Sequence, residues 1–537
     1  MDPMNTLLQR YAIAAVLLAG SSFSATITVD PSTEYQTIEG FGFAVETGYI
    51  GLYESRPQVI DMAVDDLGVS VMRIYTDPQS EPSNDNNDPF TYNADGFNYS
   101  SGRVGSLFNV MRRFASAGMD RFIFSPFTPP GWMKDMSRDA APSCSDGWNE
   151  CGGHLAADMY DEFGEYYASW VRAVQQEVGE DAVYAISINN EPAWPQGYIS
   201  CVYTHEEMRD ATRTVGLRLE SEGIGVPVFG AEDLISGTWG PYYGYTMQDP
   251  DAGRFLHALA VHAYAPDGVT PTSGSSVAWN RVYQAASQHG KAVWMTETSG
   301  TTDTWSSAFE YATGIYSALK YGKVGLWIGL ALMHPYGSQY AGDGPFEDGD
   351  PPRRCALYYS CRHFYRWVRP DALMIEAVSN DPDVLTLAFN HKEDNTLTVI
   401  AINYSGTESK VVSVEGDALP VFDAFRSSSS EQCLDVSSQM DGTQLSLPPH
   451  SIVTLFGTGY ATATRTGREP RRPASAKSPA DHLPTRLFSS NGRLVADDTM
   501  RRAAPGNRTI SRGVYFMETT DSRDGRAAVK IEPVLSR

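Results

Sequence analysis

The sequence predicts an α/β protein: a (β/α)8 TIM barrel with a side all-β domain and a small C-terminal β module. Two observations lead there. Over residues 38–368, short apolar runs alternate with longer amphipathic segments whose apolar residues recur at three- and four-residue steps. Beyond them the helical patterns stop, and short runs broken by Asn, Asp, Gly and Pro take over.

The first two dozen residues resemble an export signal. Arg10 precedes the apolar run "YAIAAVLLAG", and the small residues Ser22 and Ser24 follow at cleavage-site distance. Residues 1–24 are therefore expected to be a signal peptide of a secreted, or cell-surface-associated, protein. "TITVD" within residues 25–37 is a lone strand that needs a sheet to join, and the later β-domain offers one.

Eight candidate strands then follow: "IEGFGF", "VSVMRIY", "RFIFSPF", "VYAISIN", "VPVFG", "ALAVHAY", "KAVWMTE" and "VGLWIGLAL". Segments such as "MYDEFGEYYASWVRAVQQEVG" separate them, as a closed barrel requires. A doubly wound open sheet is the structural rival. No G-x-G-x-x-G loop follows the first strand to favour its nucleotide-binding form. Residues 369–459 read as an all-β side domain, 460–485 as a Pro-, Arg- and Ala-rich linker, and 486–537 as a small basic β module.

Charge separates these parts. The chain carries a net −24, yet residues 461–537 hold 15 Lys and Arg against 8 Asp and Glu, so the tail is +7 and the rest −31. Such an acidic body excludes nucleic acid as a partner, since phosphate binding needs clustered cations. Six cysteines suit an oxidising compartment. Cys144 and Cys151 could close a small loop, and Cys355 and Cys361 could do so unless they share a helix. No cysteine or histidine spacing matches a zinc site, and no cofactor is expected.

The chemistry begins in "YAISINNEPAW". An alternating apolar run there leads into Glu191 and then Pro192, which supplies no ladder donor. An unpaired charge has no place in a buried strand, so the run reads as a strand delivering an acid to its C-terminal end. Glu297 ends the seventh candidate strand in "KAVWMTE". Barrel strands point their C-terminal ends at one face, so these two acids can converge across its mouth. Two carboxylates flanking a sugar-sized cleft are the equipment for glycoside hydrolysis, one attacking the anomeric carbon and the other protonating the leaving oxygen.

Further residues suit the same face. Arg73 ends the second strand and could hold the nucleophile ionised, Asn190 could bond a sugar 2-hydroxyl, and His262 or Tyr264 could contact Glu297. Trp132, Trp194, Tyr49 and Trp327 are candidate platforms for sugar faces. G-x-S-x-G, H-E-x-x-H and Walker motifs are absent from the sequence.

These residues carry a resemblance. "QTIEGFGF", "SVMRIYTDP", "FSPFTPPGWMK", "YAISINNEPAWPQGYISCVYTHEEMRD", "KAVWMTE" and "FYRWVRPDALMIEA" resemble clan A retaining glycosidases, specifically glycoside hydrolase family 30, over residues 26–457. The continuation after Glu191 looks closest to its xylanase subfamily. The resemblance implies a barrel fused to a side β-domain that the N-terminal strand joins. It implies Glu191 as general acid/base and Glu297 as nucleophile, with Arg73, Asn190, Trp132, His262 and Tyr264 on matching strand ends. Glucuronoxylan-specific members carry arginines after the eighth strand, where this chain reads "LALMHPYGSQYAGDGPF" with Met333 and His334. The expectation is thus a secreted endo-β-1,4-xylanase, acting as a monomer, with no strict need for glucuronic acid branches. β-1,6-Glucanase or β-1,6-galactanase activity is the enzymatic alternative. A carbohydrate-binding barrel and a surface adhesin are the non-enzymatic ones. The tail resembles sorting or anchoring modules, which implies secretion or cell-surface machinery as its partner.

Overall fold

The computed structural model describes residues 25–45, 47–141, 143–144, 151–264, 273–338, 340 and 342–460, with four further strands in the C-terminal tail. The expected signal peptide and linker lie outside the described residues. Eight parallel strands close into a barrel: Gly40–Val45 (β1), Val71–Thr76 (β2), Phe122–Pro126 (β3), Val183–Ser187 (β4), Val228–Leu234 (β5), Leu256–His262 (β6), Ala292–Glu297 (β7) and Val324–Gly329 (β8). Each corresponds to one predicted run. Gly42 is required where β1 meets β2, because a Cβ there would stand 1.7 Å from the Val71 carbonyl oxygen.

Strand alternation sorts the side chains into two layers. Val71, Ile123, Ala185, Phe229, Ala258, Ala260, Trp294, Leu326 and Ile328 fill the barrel interior. Phe41, Phe43, Ile74, Val261, Met295 and Trp327 face the surrounding helices instead. The same parity carries inward the residues that top each strand: Arg73 after Val71, Ser125 after Ile123, Ser187 after Ala185, and His262 after Ala258 and Ala260. Apolar residues seal the barrel below, and polar ones close it above.

A nine-stranded sheet accompanies the barrel. The strand Ala25–Thr37 lies inside it, antiparallel to Leu373–Ser379 and parallel to Lys410–Gly416. Its own core includes Ile27, Val29, Ile375, Val399 and Leu455. The helix Ala356–Tyr365 joins sheet and barrel through a buried histidine. His363 bonds Thr454 Oγ1 at 2.9 Å and Ser427 Oγ at 2.8 Å through its two ring nitrogens. Burial, with Arg362 nearby, pushes its pKa down to about 3, so the imidazole is neutral.

Residues 463–537 form a separate compact unit. Its strands Leu494–Asp497, Arg486–Ser489, Val514–Asp521 and Ala528–Leu535 pair in that order, all antiparallel. Cys144 and Cys151 form a disulfide. Cys355 and Cys361 do not: Cys355 caps the helix that carries Cys361, and both are buried free thiols, as are Cys201 and Cys433. No helix among the described residues is long and apolar enough to cross a membrane.

Candidate active site

Glu191 and Glu297 meet at the barrel mouth. An oxygen of each, together with a ring nitrogen of His262, lies within 4.8 Å of the other two. They arrive by different routes. Met295 pairs with Val261, but Glu297 pairs with His262, so the register slips by one residue between them. That bulge turns Glu297 from the outward face onto the inward face shared by His262. Glu191 does not end its strand as expected. β4 stops at Ser187, and Glu191 follows in a loop with a left-handed φ of 45°. Two backbone bonds still hold this loop to the neighbouring strands: Asn190 N–H to Pro126 O at 2.8 Å and Glu191 N–H to Glu232 O at 3.0 Å.

Arg73 is fully buried and organises the floor of the site. Its Nη1 donates to Glu297 Oε2 at 2.6 Å and to the Tyr75 hydroxyl at 2.7 Å. Nη2 donates to Asn190 Oδ1 at 2.7 Å and lies 3.1 Å from Glu232 Oε1. Nε donates to Ser125 Oγ at 3.1 Å. With its oxygen so engaged, the Asn190 amide group retains its NH2 as donor.

Glu232 is a member that sequence reasoning missed. It sits in a second bulge, between Ala231 and Asp233 of β5, with a φ of 53°. Ser125 donates to its Oε2 at 2.6 Å, and the Ser187 hydroxyl donates to the same oxygen. Burial opposes its charge, but Arg73 and His262 outweigh burial and hold its pKa down at about 2. The only available signal was "AEDLISG", two acids after an apolar run.

His262 links the three carboxylates. Its Nδ1 lies 2.9 Å from Glu191 Oε1 and 3.8 Å from Glu297 Oε1, and its Nε2 is 3.7 Å from Glu232 Oε1. Burial favours the neutral ring, yet the charges of Glu297, Glu191 and Glu232 raise its pKa to about 10. It is therefore an imidazolium at neutral pH. Glu297 also accepts from the hydroxyls of Tyr75 at 3.0 Å and of Tyr264. Burial alone would protonate Glu297; the His262 and Arg73 charges reverse this and lower its pKa. Glu191 differs in its second oxygen, which accepts from Gln196 Nε2 at 3.1 Å.

The other candidates divide. Trp132 is half-buried after β3, its indole N–H bonded to Glu81 O at 3.0 Å. Trp194 is half-buried on the loop that carries Glu191, and Tyr49 is half-buried with its ring 5.8 Å from that of His334. Trp327 is not a sugar platform. It lies in the helix-facing layer of β8, wholly buried, and donates to the Tyr311 hydroxyl at 2.9 Å. Its neighbours Leu326 and Ile328 take the inward positions.

No protein-family model matches the chain. In sequence it is similar to an endo-1,6-β-D-glucanase of Neurospora crassa, 24% identical over 315 residues, 54% of this chain and 60% of that protein. A putative glucosylceramidase of Caenorhabditis elegans is 22% identical over 478 residues, 80% of this chain and 82% of that one. The chain thus spans less than two thirds of the glucanase it matches. In fold it is similar to the family 30 subfamily 8 xylanase of Clostridium acetobutylicum, with a TM-score of 0.63 and 18% identity, covering 81% of this chain and 99% of that one. The endo-β1,6-glucanase BT3312 gives a TM-score of 0.61 and 20% identity, over 81% and 93%. At these identities the likeness to the solved structures is one of fold. What the chain displays is a closed eight-stranded barrel with an attached nine-stranded sheet.

Proposed function

We propose that this chain is a secreted retaining glycoside hydrolase that cuts plant cell-wall polysaccharide as an endo-β-1,4-xylanase. One observation carries the retaining mechanism: Glu191 and Glu297 bring carboxylate oxygens within 4.8 Å of each other. Retaining enzymes place their carboxyl groups about 5–5.5 Å apart, whereas inverting enzymes leave roughly 6.5–9.5 Å for a water. Glu297, kept ionised by His262 and Arg73, attacks the anomeric carbon. Glu191 protonates the departing glycosidic oxygen, then as carboxylate takes a proton from the water that cleaves the glycosyl–Glu297 ester. The Asn190 NH2 donates to the sugar 2-hydroxyl, a bond that strengthens as the oxocarbenium charge develops.

The choice of xylan rests on the sequence after Glu191 and on the family 30 xylanases among the similar folds. The likeness to the Neurospora glucanase favours a second reading, β-1,6-glucan hydrolysis. Secretion is supported by the signal-like N-terminus and by the Cys144–Cys151 disulfide. Product analysis on xylan, β-1,6-glucan and β-1,6-galactan side by side tests the assignment. Xylo-oligosaccharides from xylan alone are expected; gluco-oligosaccharides from β-1,6-glucan would overturn it.

A further inference from the structure

A second group of acids lies away from the glycosidase pair, where the loop after β2 packs on the helix Tyr160–Glu177. Asp85, Glu162 and Glu165 each bring a carboxylate oxygen within 4.8 Å of the other two. Glu81 and Glu165 are each 1% exposed and Glu162 is 6% exposed.

The hydrogen bonding here is half complete in a particular way. Glu162 Oε1 accepts from Asn84 Nδ2 at 2.9 Å, and Asp85 Oδ2 accepts from the Asn93 N–H at 2.9 Å. Those bonds fix the two carboxylates and leave Glu162 Oε2 and Asp85 Oδ1 without a hydrogen-bond partner. Both oxygens of Glu165 are also without one. A buried carboxylate oxygen in that state costs free energy unless a cation or proton meets it.

Protein cations do not meet the need. Arg218 approaches Glu165 only to 3.8 Å, and its Nε is already paired with Glu222. Around the catalytic glutamates, by contrast, Arg73 and His262 stand among three carboxylates and several hydroxyls donate. Burial, followed by the charges of Glu165, Asp85 and Glu162, pushes Glu81 up to about 9. Burial and then Asp85 push Glu165 up to about 7.

We propose that Asp85, Glu162 and Glu165, with Glu81 beside them, form a structural calcium site. The donor set is all hard oxygen, with no thiolate or imidazole, which selects calcium or magnesium over zinc or copper. Calcium accepts oxygen ligands at about 2.3–2.6 Å in irregular geometry, whereas magnesium demands a near-ideal octahedron at about 2.1 Å. The Asn- and Asp-rich segment 84–95 supplies the flexible loop that such irregular coordination uses. The consequence reaches the cleft, because Glu81 also offers its backbone carbonyl to the indole of Trp132. A cation here ties the β2 loop to a helix of the third βα unit and so steadies that aromatic ring.

The test uses the full-length protein stripped with a chelator and titrated with calcium chloride alone. Calorimetry is expected to report one calcium bound per chain, and Tm to rise by about 3 °C at a hundredfold excess over Kd. In a Glu162→Gln/Glu165→Gln variant, both the heat and the shift should vanish, while the metal-free variant melts no lower than the metal-free parent, since two buried like charges are gone. The absence of heat and shift in the stripped parent, or a full shift in the variant, overturns the proposal. An equal response to magnesium chloride overturns the choice of calcium.

Discussion

Arg73 and Glu297 form an ion pair of 2.6 Å in which the arginine side chain is fully buried and the glutamate side chain is 9% exposed. The guanidinium also reaches Glu232, Asn190, Tyr75 and Ser125, so one side chain fixes the geometry of five others. Replacing Arg73 with Ala leaves two buried carboxylates short of a partner and should cost about 3–5 kcal/mol in urea unfolding. Arg73→Lys keeps the charge but not the planar fork. It should fold while losing roughly 100-fold in kcat, measured on the preferred polysaccharide.

Glu297→Gln removes the proposed nucleophile but little volume. Turnover should fall by at least about 10⁴-fold. Oligosaccharide binding, followed by calorimetry, should persist. Hydrolysis at the parental rate would assign the nucleophile elsewhere, and loss of binding along with turnover would point to misfolding.

Glu191→Ala should behave differently. It should retain glycosylation on an aryl glycoside whose leaving group needs no proton, and azide should restore its turnover with a β-configured glycosyl azide as product. An α-configured product would contradict a double displacement.

Stability should depend on pH from both sides. His262 has a pKa raised to about 10 in the folded protein, above the ordinary 6.5. Its contribution is therefore complete below pH 6.5 and is lost as pH climbs to about 10. Glu232 is depressed from 4.5 to about 2, so its contribution is complete above pH 4.5 and is lost as pH falls to about 2. Thermal melts across pH should show a plateau between these limbs. His262→Asn should flatten the alkaline limb and also weaken the acid one, because His262 helps Arg73 to hold Glu232 ionised.

Dependence on glucuronic acid should be small. Met333 and His334 are buried in a two-residue strand against Phe346–Glu347. Arg353 follows, but its guanidinium is committed to Glu347 and to Asp303. A free bidentate arginine is worth about 3 kcal/mol, or roughly 100-fold in rate. Rates on glucuronoxylan and on xylan stripped of glucuronate should instead agree within about fivefold on that arithmetic.

Truncation after Tyr460 removes a separate compact unit of opposite charge. kcat and KM should be unchanged. The cellular location of the enzyme, followed by fractionation, should not.

The barrel was legible because its strands are apolar runs of the right length, most of them separated by helical patterns. Glu297 was legible for the same reason, as the last residue of such a run. Glu191 announced itself through Pro192, although the strand ends four residues before it. What could not be read was which way a side chain points after a bulge. β5 was expected to stop at Gly230 but continues to Leu234, so Glu232 looked like a loop acid rather than a buried partner of Arg73. Trp327 failed through parity: shifting by one residue exchanges the mouth-facing layer for the helix-facing one, and composition is blind to that shift. The Asp85–Glu162–Glu165 cluster joins residues nearly eighty positions apart, which no local pattern records.

The strand Ala25–Thr37 is sandwiched between partners made much later, with Ile27 opposite Ser379 and also beside Val414. On a ribosome adding about 5–20 residues each second, that edge waits on the order of tens of seconds for its mates. Throughout that interval its ladder groups are open to any passing chain. The yield of folded protein should therefore depend on how well this one early segment is shielded until those partners are made.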